Sequence, residues 1–208
     1  MISILDLWRT IRRPAFISAS GLLLCGNVAI VELTALQLSG IQRQYTVLEQ
    51  VREGTRSLLI GLLNAEAGVR GYIITNDDIY LTPYHAGSRS ILDQTRNLRL
   101  LPLDAPQRDD LNQLTSQLDG QMQMLAHLVD VQRSSGPSAA GQRLGKGEEK
   151  IGLDTLRSSF ENRIDSLSAS LITLQRVSRT YQEVETYCVI FAAFWLYMVI
   201  FISTRDPG

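Results

Sequence analysis

The sequence predicts an all-α protein, an antiparallel up-down four-helix bundle flanked by two transmembrane helices. Three observations predict it. Apolar residues recur at alternating three- and four-residue spacing through the middle of the chain, the period of one helix face. No segment sustains a period of two, so a sheet is not expected. Two apolar stretches almost free of charge lie near the two ends.

The averages alone would describe an ordinary soluble domain. The 208 residues carry 20 Lys and Arg against 21 Asp and Glu, a formal net charge of −1. That balance argues against a basic nucleic-acid binder, and no nucleic-acid partner is expected. It argues equally against an acidic disordered tail. Two cysteines and two histidines leave little room for a metal cage or a thiol nucleophile, so no metal and no cofactor are expected.

The apolar residues are concentrated. From Ala15 to Val31 the chain runs without a charge, and after Glu32 it continues apolar to Leu38. A second run extends from Thr186 to Thr204, crowded with Tyr187, Phe191, Phe194, Trp195, Tyr197 and Phe201. Each approaches or reaches the ~20 residues that cross a hydrocarbon core ~30 Å thick. We therefore expect spans at residues 15–38 and 186–204, held in a lipid bilayer. A cleaved signal peptide is the alternative for the first, but its run is long and lacks a clear small-residue cleavage site. Arg9, Arg12 and Arg13 precede the first span, which predicts a cytoplasmic tail over residues 1–14. Two spans return residues 205–208 to the same side. Residues 39–185 then form a periplasmic domain on a bacterial inner membrane.

Within that domain each helix is legible in turn. Ile41, Tyr45, Leu48, Thr55, Leu59, Leu62, Glu66, Val69 and Ile73 form one stripe, with no proline between residues 15 and 75. The run Thr75-Asn76-Asp77-Asp78 supplies turn and cap chemistry. A second helix carries Leu81, Tyr84, Ser88, Ile91, Thr95 and Leu98 and ends at Leu101-Pro102. Asp104 caps a third, with Leu111, Leu114, Leu118, Met122, Leu125 and Val129 inward. Residues 134–147, rich in Ser and Gly, read as a loop. A fourth helix starts near Glu148 and carries Leu153, Leu156, Phe160, Ile164, Leu167, Leu171, Leu174 and Tyr181 into the second span. The first and fourth helices are the longer pair and are expected to form a stem beyond the other two.

At the top of the first helix stands Glu66-Ala67-Gly68-Val69-Arg70-Gly71-Tyr72-Ile73-Ile74-Thr75-Asn76-Asp77, followed by Tyr80-Leu81-Thr82-Pro83-Tyr84. This segment resembles the signature of the CHASE type-three sensory domains, an E-T-G-x-R-G-Y-L-L-T-G-D pattern followed by Y-L and an aromatic. Glu66, Gly68, Arg70, Gly71, Tyr72, Thr75, Asp77, Tyr80, Leu81 and Tyr84 match. Ala67 stands for the usual Thr and Asn76 for the usual Gly. A weaker second match spans Gly147 to Arg157, where Asp154 and Arg157 fit the family's G-K-x-M-D-x-I-R. The resemblance implies a periplasmic helical bundle that senses a stimulus for histidine kinases, cyclases or chemoreceptors.

The residues also have a reading of their own. Glu66 falls on the apolar stripe and Arg70 lies four residues later, the favourable order for an ion pair on a helix. The pair is either a structural clamp or a node that switches partners. Gly54, Gly61 and Gly68 are spaced by sevens, which suggests close approach by another bundle helix or by a second subunit. Gly21, Cys25 and Ala29 repeat small residues in the first span, a spacing that permits homodimer packing. Asn27 could hydrogen-bond across such a contact. Cys25 and Cys188 are expected at different depths, so no disulfide joins them. His85 and His127 read as ordinary helix residues rather than ligands.

No catalytic constellation is present, and the chain is not expected to be an enzyme. Residues 37–185 hold 16 basic and 18 acidic residues, which favours neither anionic nor cationic stimuli. Only four residues follow Thr204, too few for a transmitter. The expected function is a membrane-anchored input module for transmembrane signalling, lacking its own output domain. It would act through a separate histidine kinase or other signalling protein, in response to an unknown small molecule or envelope stimulus. The alternatives are a non-sensing structural or interaction protein and a truncated fragment of a sensor kinase.

Overall fold

The computed structural model describes the backbone of residues 4–145 and 148–204, and the side chains of 18–136, 138–142 and 152–201. The fold is all-α, with no strand among the described residues. Helix α1 spans Ile4–Thr75, α2 Leu81–Arg99, α3 Ala105–Gly145 and α4 Glu148–Thr204, with a single 3-10 turn, Asp78–Tyr80, between the first two. The absence of proline between residues 15 and 75 agrees with the unbroken run of α1. The tail residues 1–3 and 205–208 and Gly147 of the second motif lie outside the described residues, as do the side chains of Arg9, Arg12 and Arg13.

The chain divides into two compact units, Tyr45–Ile172 and the paired end segments Met1–Gln44 with Thr173–Gly208. In the first unit all four helices contribute to one core. Leu58, Leu62 and Val69 of α1, Leu81 and Leu98 of α2, Leu118 of α3 and Phe160 of α4 are all but fully buried. Burying a side chain of this size stabilises the fold by about 1.5–3 kcal/mol, so these stripes dominate the energetics. Residues of α2 meet those of α1 in reversed order, Leu98 against Gly54, Ile91 against Gly61 and Tyr84 against Gly68. The same reversal relates α4 to α3, with Arg163 Nη1 at 2.5 Å from Asp110 Oδ2 and Gly152 beside Gln121.

The ends of α2 and α3 follow from local chemistry. Pro83 sits in the first turn of α2, where its missing N–H is tolerated. Asp104 caps α3 reciprocally: its Oδ1 accepts from the Gln107 N–H at 2.8 Å, and Gln107 Oε1 accepts from the Asp104 N–H at 3.2 Å.

The loop expected at residues 134–147 is a correction. The chain stays helical to Gly145 apart from one break at Gly136, whose φ of 80° is a left-handed conformation suited to glycine. Glycine there ends one helical segment and Pro137 follows at the start of the next, the position where proline is preorganised. Beyond the break Ala140 is fully buried, so packing holds as helix a stretch whose Ser and Gly content suggested a loop.

In the second unit, residues Ser20, Leu24, Asn27, Val31, Thr34, Leu38 and Ile41 of α1 are less exposed than their neighbours. On α4 the same is true of Leu174, Ser178, Tyr181, Glu185, Cys188, Ala192, Trp195 and Val199. Both series step by three and four, the spacing of a coiled-coil seam. Asn27 Nδ2 donates to the Cys188 carbonyl oxygen at 3.1 Å across it. The helical segments Ser18–Thr75 and Gly152–Phe201 each contain a stretch long and apolar enough to cross a membrane. Those stretches are only 6% and 0% buried, unlike the core helix of a soluble fold.

Glycines at different places in this fold should respond oppositely to alanine. A Cβ on Gly87 would collide with the Gly61 carbonyl oxygen, a backbone atom with little freedom to move. Gly87→Ala is expected to destabilise by about 1–3 kcal/mol. Gly120 has open space beside it, so Gly120→Ala should stabilise by roughly 0.5–1 kcal/mol through helix propensity alone. Chemical denaturation of the solubilised chain measures both.

Candidate functional site

The motif residues converge on the turn that joins α1 to α2. Gly68 and Gly71 remove side chains where α2 arrives. A Cβ on Gly68 would lie 2.8 Å from the Tyr84 nitrogen and 2.9 Å from the Tyr80 carbonyl oxygen, and one on Gly71 would lie 2.7 Å from the Tyr80 ring. Tyr72 and Leu81 are buried in the core on either side of the turn. Thr75 Oγ donates to the Gly71 carbonyl oxygen at 2.8 Å and accepts from the Asp77 N–H at 3.3 Å. Asp77 Oδ1 then accepts from the Ile79 N–H at 3.0 Å and caps the 3-10 turn.

Asn76 explains its own departure from the family pattern. Its φ is 55°, the left-handed conformation that ends a helix, and its N–H donates to the Tyr72 carbonyl oxygen at 2.8 Å. Glycine adopts this conformation without cost, and asparagine is among the few other residues that visit it readily. The substitution adds a contact. Asn76 Oδ1 accepts from Nε2 of Gln132, a residue only 2% exposed on α3, at 3.0 Å. Arg133 Nη2 lies 3.8 Å from Asp78 Oδ1 beside it. Thus α3 reaches the α1–α2 turn through two adjacent side chains.

Glu66 and Arg70 face another way. Arg70 Nη2 lies 2.6 Å from Glu66 Oε1, with side chains 48% and 13% exposed. Val69, Gln121, Leu125, Leu128 and Leu153 surround the pair, bringing α1, α3 and α4 together. The space left beside them is about 10 Å³, enough for one water and too small for an organic ligand.

The glycine lane lies entirely on the face of α1 that meets α2. A Cβ on Gly54 would lie 2.6 Å from Leu98 Cδ2, and one on Gly61 would lie 2.9 Å from Ile91 Cγ1. Sequence reasoning missed Gly87, the counterpart on α2. Its signal was present, since it falls between Tyr84 and Ile91 on the inward stripe. Gln132 was missed likewise, although it continues the stripe through Leu125 and Val129.

Other candidates are not gathered here. Gly21, Cys25 and Ala29 form an exposed stripe on α1, with open space beside Gly21. Asn27 does not share that face and bonds to α4 instead. Cys25 and Cys188 carry free thiols. Asp154 is exposed on α4, and Arg157 Nε donates to Glu161 Oε1 at 3.1 Å. The His85 ring packs edge-on against Tyr84, with centroids 5.2 Å apart. Among the described residues no group of three or more His, Cys, Asp or Glu could hold a metal ion.

These features define an all-α domain organised by a helical hairpin whose turn is written into one continuous motif. A family profile described as CHASE3 domain matches residues 42–177, more than half of the chain, and the chain belongs to that family of extracellular sensory domains. No curated protein and no solved structure matches it.

The setting of Glu66 distinguishes a structural clamp from a dispensable surface pair. Arg70→Met leaves a mostly buried carboxylate without its cation and is expected to cost about 1–2 kcal/mol, less than a fully buried pair because Arg70 is half-exposed. Adding Glu66→Met to that variant should restore most of the loss, because an apolar pair suits Leu125 and Leu128. Urea unfolding of the single and double variants measures the difference.

Proposed function

We propose that the chain is a membrane-anchored extracytoplasmic input module for transmembrane signalling in a bacterial inner membrane. One observation carries the reading: a CHASE3 match over residues 42–177 lies between two apolar stretches that are exposed along the helices bearing them. On this reading α1 to α4 form an antiparallel up-down four-helix bundle outside the membrane, and residues 15–38 and 186–204 cross it. Both termini are cytoplasmic on this reading, which the basic residues before the first span favour.

The input would reach the membrane through α1 and α4, which are also the helices that carry the two spans. A stimulus that favours one arrangement of the core shifts these helices by a small displacement or rotation. To move occupancy from 1:99 to 99:1 it must discriminate between the arrangements by ~5.5 kcal/mol. The Glu66–Arg70 pair touches α3 and α4 residues and would register such a change. The recipient is a histidine kinase or other signalling protein, and a second copy of the chain is the natural partner in the membrane. Docking without sensing is the second reading, favoured by Ile74, Ile79 and Tyr80, which stand 82%, 69% and 46% exposed around the turn.

Sided labelling tests the topology. In a Cys25→Ser, Cys188→Ser background, Asn112→Cys is expected to react with a membrane-impermeant maleimide in intact cells, and Ser3→Cys only after lysis. The reverse pattern, or labelling of both in intact cells, would contradict it. Sensing is tested on the co-expressed kinase: its output should change when Glu66 and Arg70 are neutralised together, and an unchanged stimulus response would remove the node from the mechanism.

A further inference from the structure

The seam between α1 and α2 opens at its Gly54 end into a groove of about 400 Å³, lined by Gln50, Glu53, Gly54, Ser57, Gln94, Asn97, Leu98 and Leu101. That volume is in the range of small-molecule sites, roughly 300–1,000 Å³, whereas the space at Glu66 is not. Leu98 is buried and Leu101 half-buried, giving the groove an apolar base. Around them stand three carboxamides and a hydroxyl, on α1 at Gln50 and Ser57 and on α2 at Gln94 and Asn97. None of these four side chains is committed to a hydrogen bond within the described chain. The groove's one carboxylate, Glu53, lies 3.0 Å from Arg52, which it shares with Glu49 at 2.5 Å.

We propose that this groove binds a small, uncharged, polyhydroxylated molecule such as a sugar. A carboxamide offers both donors and an acceptor, and a hydroxyl group offers the same pairing in return. The apolar base suits the C–H face of a sugar ring. No cation among the lining residues would fix an anion. A cation would meet a single carboxylate, Glu53, which is half-exposed, screened by water and already beside Arg52. The site rests on the sensory reading for its purpose, since its occupant would bridge α1 to α2 beside the first glycine of the lane. Binding would favour one spacing of the two helices and so supply the discrimination that a switch needs.

The experiment uses the full chain in lipid nanodiscs. Glucose, N-acetylglucosamine and trehalose are titrated in parallel with glutamate and putrescine as charged comparators. Saturable shifts of the Gln50, Gln94 and Asn97 side-chain amide resonances are followed, since general stabilisation by sugars does not saturate or single out these amides. At least one sugar is expected to saturate these shifts. Gln94→Leu and Ser57→Val should each weaken it by about tenfold, the loss of one good hydrogen bond, while Gln113→Leu on the exposed face of α3 leaves it unchanged. No saturation by any sugar, saturation by a charged comparator alone, or unchanged binding in both groove variants would overturn the proposal. Saturable sugar binding that leaves the kinase's output unmoved would retain the site and remove the sensory reading. A kinase response to another stimulus, with no sugar bound, would do the opposite.

Discussion

The close approach of α1 and α2 is the constraint on which the rest of the structure depends. Four glycines make it, Gly54, Gly61 and Gly68 on one helix and Gly87 on the other: a Cβ would meet the Leu98 side chain at Gly54 and backbone atoms at the other three. Each glycine inside a helix costs about 1 kcal/mol of propensity relative to alanine. That cost is offset by tight packing that apolar side chains alone would not permit. Because backbone faces backbone at Gly61 and Gly87, the register of the hairpin is set with little tolerance. Leu81, Ile91 and Leu98 then enter the core at fixed depths.

The family motif reads as the chemistry of this constraint. Its glycines admit α2, its threonine and aspartate cap the two sides of the turn, and its tyrosines and leucine pack on or beneath it. Asn76 sits at the motif's left-handed position and uses its side chain to bind Gln132. The Glu66–Arg70 pair is the member that looks toward α3 and α4 instead. Seam and ion pair therefore act on different neighbours of α1, and a displacement of α1 against α2 would be felt at both.

Much of this was legible in the sequence. Period alone located α2 and the inward faces of α3 and α4, and Asp104 marked its cap. The seven-residue spacing of glycines pointed to close approach but left the neighbour open, because spacing on one helix says nothing about what faces it. Gly136 shows the opposite failure. Ser, Gly and Pro around it signal a loop, yet a single left-handed residue suffices to turn the helix and burial of Ala140 keeps the remainder helical. The polar groove was invisible for a related reason. Gln50, Ser57, Gln94 and Asn97 are ordinary surface residues on their own helices, and only the register of α1 against α2 brings them together.

The most direct measurement of this register is a double-mutant cycle on Gly61→Ala and Gly87→Ala, read by the free energy of unfolding. If the two backbones share one contact, either alanine already forces the helices apart. The double variant should then cost clearly less than the sum of the singles, with a coupling of roughly 1 kcal/mol or more. Additivity within about 0.5 kcal/mol would show that the two positions are independent, and would contradict a hairpin built on their contact.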